Sequence, residues 1–126
     1  MILVDTSIWI DHLRFPDQLL GRLITLDQVL IHPLVIGEIS MGSLARRSVV
    51  LSNLQSLPSI SVADHKEVMA LTERRQFFGK GIGFIDAHLL ASLHLTPGTK
   101  LWSRDKRMAA IAASMDLAFN PEKFLH

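Results

Sequence analysis

The sequence predicts one domain, residues 1–126, folded as a three-layer α/β/α sandwich around a mainly parallel sheet. Two observations predict it. Short, continuously apolar runs alternate with longer segments whose apolar residues recur at helical spacing, and strands without polar alternation are strands buried on both faces. With 126 residues, 48% hydrophobic and 20% charged, the chain also has the size and composition of a single core.

The elements follow in order. Met1 to Val4 reads as a buried strand, and Asp5-Thr6-Ser7 behind it as a helix cap. Pro16 to Leu26 carries Leu19, Leu23 and Leu26 at i, i+4, i+7 and predicts a helix. Gln28 to His32 is a second strand, stopped by Pro33. Leu34 to Leu44 and Arg46 to Leu57 read as helices, the latter with Val50, Leu54 and Leu57 on one face. Ile60 to Val62 predicts a third strand, and Asp64 caps a helix to Phe78. Gly79, Gly81 and Gly83 mark a break, read as a hinge that lets the next helix approach the sheet closely. Phe84 to Leu95 predicts a helix, Lys100 to Ser103 a strand, and Asp105 to Asp116 a helix with Met108, Ile111, Ala112 and Met115 inward. Leu117 to Phe119 predicts a short last strand.

Composition excludes several classes. The chain has no cysteine, hence no disulfide framework, thiolate nucleophile or Cys-ligated zinc, which suits a reducing cytoplasm. The longest charge-free stretch, Ser48 to Ala63, is broken by Ser52, Asn53, Gln55 and Pro58, so no membrane span is expected. Asp5 and Asp11 interrupt any apolar leader. A formal net charge of +1 rules out a polybasic nucleic-acid binder, so any RNA contact must come from a local patch.

Four acids stand where an open α/β sheet puts its functional groups, beyond the carboxyl ends of the strands. Asp5 follows the first strand, Glu38 lies in the helix after the second, Asp86 follows the glycine break, and Asp105 follows Ser103. Their sequence neighbours are apolar, a setting in which carboxylates are rare unless paired or bound to a cation. Clustered carboxylates repel, and a hard divalent ion such as magnesium or manganese relieves that repulsion and can assist phosphodiester hydrolysis. Singly, Asp5, Asp86 and Asp105 also suit helix caps; Glu38, inside an apolar helix pattern, does not.

Met1-Ile-Leu-Val-Asp5-Thr-Ser-Ile-Trp9, Ile36-Gly-Glu38-Ile, Gly83-Phe-Ile-Asp86-Ala-His-Leu-Leu90 and Leu101-Trp-Ser-Arg-Asp105 together resemble the successive acidic motifs of PIN domains, in particular VapC-type toxins of toxin–antitoxin modules. The resemblance runs from Met1 to Phe119. It implies a PIN-like fold and a magnesium-dependent endoribonuclease with Asp5, Glu38, Asp86 and Asp105 as catalytic and metal-holding residues, manganese being a possible substitute. It also implies an RNA substrate, a cognate antitoxin that silences the enzyme in a hetero-oligomer, DNA contact only through that antitoxin, and a homodimer with no membrane association. Ser103 stands where the family often has Thr, and its hydroxyl keeps the same hydrogen-bonding capacity.

Around the acids, Thr6 is expected to support Asp5, and Ser103 to bond a carboxylate or a metal-bound water. Arg104, Lys106 and Arg107, with Arg74, Arg75 and Lys80, are candidate phosphate contacts or ordinary solvated charges. Trp9 and Trp102 could stack on bases, though packing suits them better. His88, at i+2 from Asp86 on a helix, is read as a packed or interface residue. His12, His32, His65, His94 and His126 show no ligand spacing. A homodimer contact is expected between Leu34 and Leu57. An antitoxin is expected to place an Arg among the four acids and an apolar segment near Ile36 and Leu54. Two rival readings are a non-catalytic PIN scaffold and a phosphatase with Asp5 as nucleophile, which would want an acid where Ser7 stands.

Overall fold

The computed structural model describes residues 1–124; His126 lies outside them. Three parallel strands, β1 (Ile2–Val4), β2 (Val29–Leu30) and β3 (Lys100–Trp102), form a sheet in the order β2-β1-β3. Ile2 aligns with Val29 on one side and Lys100 on the other. Successive strand residues point to opposite faces, yet Ile2, Leu3 and Val4 are all buried, so helices cover both sides. The helices are α1 (Thr6–Arg14), α2 (Gln18–Thr25), α3 (Pro33–Ser40), α4 (Arg47–Gln55), α5 (His65–Arg75), α6 (Phe84–His94) and α7 (Lys106–Ser114). The predicted α/β/α sandwich is the observed architecture.

The outer predicted strands shrink to single bridges, Ile31 with Ser59 and Leu101 with Ala118. Instead of Ile60–Val62, the chain offers only the Pro58 carbonyl and the Ile60 N–H to Ile31, and Ala63 N–H turns away to Ser92 Oγ. Helix α5 stops at Arg75 rather than Phe78 because Gln76 takes a left-handed conformation, φ 56°. Helix α3 stops at Ser40 rather than Leu44. In α2 the buried face is Leu19, Leu20 and Leu23, while Leu26, at the C-cap, is exposed.

Five helices begin at a capping side chain, while α4 and α6 begin at Arg46 and Gly83 without one. Asp17 accepts from Leu20 N–H, and Asp64 and Glu67 form a reciprocal capping box at α5. The cap of α3 is His32: fully buried, its Nδ1 accepts from Leu34 N–H at 3.1 Å while Nε2 meets Ser92 Oγ at 3.1 Å. No helix among the described residues is long and apolar enough to cross a membrane.

Candidate active site

The central strand β1 delivers Asp5. Its N–H donates to Trp102 O at 2.9 Å, continuing the ladder by one rung, and its side chain then caps α1. Asp5 Oδ1 accepts from Thr6 N–H at 2.8 Å, and Oδ2 accepts from Ser103 Oγ at 2.7 Å and Ser7 Oγ at 3.3 Å. The two hydroxyls also receive backbone donors, Ser7 Oγ from Arg104 N–H and Ser103 Oγ from Asp105 N–H, each at 3.1 Å. The loops after β1 and β3 are thereby stitched together around one carboxylate that is 6% exposed.

The flanking elements bring the other acids. Glu38, on α3, accepts from Thr6 Oγ1 at 2.7 Å. Thr6 thus supports Asp5 through its backbone but Glu38 through its hydroxyl. Asp105 caps α7 through Oδ1, which takes Arg107 N–H at 2.9 Å and Met108 N–H at 3.2 Å. Asp86, in the first turn of α6, accepts from Gly83 N–H at 3.2 Å through Oδ2. Burial raises the Asp86 carboxyl above its ordinary range; the Gly83 hydrogen bond opposes this, and the charges of Asp5, Asp105 and Glu38 push it further up. All three acids therefore act on the fourth.

Apolar sequence neighbours do not make apolar surroundings for every acid. Only Asp5 is buried; Asp86 is half-buried, and Glu38 and Asp105 are exposed. On α3 the inward residues are Val35 and Ile39, and the helical turn leaves Glu38 at the rim. Among the described residues no three Asp, Glu, His or Cys side chains are grouped closely enough to hold a metal ion together. The acids border an open surface, while a 560 Å³ cleft at the other end of the strands, lined by Met1, Leu19 and Phe119, holds none of them.

The basic residues divide. Arg104 Nε pairs with Asp11 Oδ2 at 3.0 Å, both side chains exposed. Arg107 folds over the glycine break, Nη1 3.4 Å from Gly81 O. Gly81 favours glycine through its backbone, φ 79°, while the Arg107 side chain that a Cβ would meet at 2.7 Å is exposed and free to move. The hinge reading is corrected accordingly, since Gly83 has φ −94° and a Cβ on it would meet nothing within 4 Å. Lys106, Lys80 and Arg75 are exposed. Arg74 lines a cleft with Ala91, His94 and Leu95, toward the end of α6 remote from Asp86.

Trp9 and Trp102 are buried, 3% and 7% exposed, and belong to the core. His88 packs edgewise on Phe84 with ring centroids 4.7 Å apart, as expected of a packed residue. Two participants escape sequence reasoning. Ser7 reads there only as part of a cap, and His32 carries no expected role. The Asp-Thr-Ser run beside the first strand and a His directly before a Pro-started helix are the signals that could have found them.

The PIN domain family profile matches residues 2–114. Ribonuclease VapC32 of Mycobacterium tuberculosis, in strains CDC 1551 / Oshkosh and ATCC 25618 / H37Rv, is 47% identical over 122 residues, covering 97% of this chain and 98% of the relative. With the ordered acids and the parallel sheet that carries them, these matches show that the chain belongs to the PIN-domain family and is of its VapC type.

Proposed function

We propose that this chain is a metal-dependent endoribonuclease, the toxin of a toxin–antitoxin pair, with Asp5, Glu38, Asp86 and Asp105 as its catalytic carboxylates. The observation that carries the reading is the hydrogen bonding that gathers the acids: Thr6 links Asp5 to Glu38 and Ser103 links Asp5 to the Asp105 backbone, and Asp86 lies where the charges of all three raise its carboxyl. The 47% identity to a ribonuclease supports the same chemistry. Carboxylates alone, with Glu38 and Asp105 exposed, suit magnesium, with manganese as substitute, because such ions keep several waters and need only one or two protein ligands. Asp5, Glu38, Asp86 and Asp105 would hold the ion, which supplies electrostatic stabilisation of the phosphodiester and an activated water. Ser103 and Ser7 fix Asp5 Oδ2, Thr6 fixes Glu38, and Gly83 N–H fixes Asp86.

Exposed Lys106, Lys80, Arg75 and Arg107 are suited to phosphates flanking the cut. The protein works in the cytoplasm as a homodimer joined through the segment around α3 and α4, where Met41 and Val49 are exposed. A cognate antitoxin places an Arg among the acids and an apolar segment in a 380 Å³ groove lined by Trp9, Leu13, Ile24, Val50, Leu54 and Leu57; Ile36, expected there, does not line it. The non-catalytic scaffold reading is disfavoured by the retained set of four acids.

The test is RNA cleavage in magnesium or manganese and after chelation, by the wild-type chain and by Asp5→Asn and Asp86→Asn proteins shown to be folded. Cleavage is expected to require the metal and to be lost in both variants. Unchanged cleavage by the variants would remove the catalytic assignment.

A further inference from the structure

The aromatic residues that the sequence offered for base stacking are buried, but of the exposed phenylalanines two share one cleft. Phe78 is 58% exposed and Phe84 is 48% exposed. With Met69, Ile82, Gly83 and Ala87 they line a cleft of about 220 Å³ between α5, the glycine break and α6. Phe84 is held in place by two imidazoles, His88 at 4.7 Å and His65 at 5.7 Å between ring centroids. The one side-chain hydroxyl lining the cleft, on Thr72, is already donated to Val68 O at 2.8 Å. The cleft therefore offers stacking surface and no free polar side chain.

Two features tie this cleft to the acids. Gly83 lines it and also donates its N–H to Asp86 Oδ2. A Cβ at Gly83 would meet nothing within 4 Å, so the backbone there faces open space rather than a packed neighbour. The rim is cationic: Lys80 lies on the loop joining Phe78 to Gly81, and Arg107 reaches that loop from α7. An apolar aromatic slot with a positive rim, next to a phosphodiester site, has the chemistry of a single-stranded nucleic-acid subsite.

We propose that Phe78 and Phe84 form a stacking slot for an unpaired base of the RNA, adjacent to the nucleotide at the acids. This rests on the ribonuclease reading and goes beyond it by naming where the strand is gripped. The slot lacks free side-chain donors and acceptors, so it contributes affinity and register without selecting a base. It requires the substrate to be single-stranded or unstacked at that position.

The test uses short, dye-labelled 2′-O-methyl oligoadenylate and oligouridylate, checked to be full-length at the end of each titration, and reads binding by anisotropy in magnesium. Phe84→Leu and Phe78→Leu are expected to weaken binding of both probes by about five- to a hundredfold, with melting temperature and light-scattering mass unchanged. Phe84→Tyr, which keeps the aromatic face, is expected to restore it. Unchanged affinity in the Leu variants, equal loss in Leu and Tyr variants, or a wild-type chain that binds neither probe overturns the slot. A fall in mass with unchanged affinity per protomer assigns the face to a second copy and also overturns it. Cleavage of unmodified RNA by the wild-type chain is scored separately: no cleavage with aromatic-dependent binding defeats the ribonuclease reading and leaves the slot standing.

Discussion

The cap of α3 makes stability depend on pH through a single side chain. His32 is fully buried, and because Nδ1 accepts Leu34 N–H, the one proton of the neutral ring sits on Nε2 and is donated to Ser92 Oγ. A second proton would have to occupy Nδ1, facing the Leu34 donor. Burial lowers the His32 pKa from 6.5 to about 4, with the neighbouring His88 acting in the same direction. Between those values the unfolded chain binds a proton that the folded chain refuses, so stability falls as pH drops through this window. Integrating from about pH 7.5 to about pH 4.5 gives a loss of about 2.5 kcal/mol from this residue. His32→Asn keeps an acceptor for Leu34 N–H but does not titrate. It is expected to be less stable than wild type at neutral pH by about 1–3 kcal/mol, from imperfect bonding of Ser92. The measurement is urea unfolding of both proteins across the range, with the other titrating groups common to both. The stability gap between them should narrow by about 2.5 kcal/mol on acidification. A gap that stays constant would refute the argument that His32 is held neutral by its two partners.

Two further outcomes follow from the stitching of the site. Ser103→Ala removes the 2.7 Å bond to Asp5 and the acceptor for Asp105 N–H, so a stability loss of about 1–3 kcal/mol and weaker cleavage are expected, both recovered in Ser103→Thr. Asp105→Asn keeps an oxygen for the α7 cap and is expected to weaken cleavage rather than abolish it, as read from initial rates at saturating magnesium.

The fold is legible in the sequence because its strands are continuously apolar and its helices mostly begin at side chains that cap. Asp5, Asp17, Asp64 and Asp105 each open a helix, and each is an acid directly before an apolar-periodic stretch. What is illegible depends on tertiary geometry. Ile60–Val62 and Leu117–Phe119 have strand-like composition, but each contributes to the sheet only through hydrogen bonds around a single bridge. Leu26 fits the stripe of α2 in sequence, yet the helix ends before its side chain can turn inward, and Leu20 is buried instead. The Thr6–Glu38 bond joins residues 32 positions apart, and Ser103–Asp5 residues 98 apart, so no local pattern could assign those partners.

The same topology grades the three acids that follow strands. Asp5 follows the central strand, where neighbouring strands and both helical layers exclude water, and its carboxylate is stabilised by a backbone N–H and two hydroxyls. Glu38 and Asp105 follow the flanking strands and are exposed, each with solvent able to share its charge. Removing the charge of Asp5 leaves three donors aimed at an amide in a buried position, whereas removing that of Asp105 alters a solvated rim. The central acid is therefore the one whose loss the site tolerates least, and Asp5→Asn should cost more activity than Glu38→Gln or Asp105→Asn, whose strands flank it.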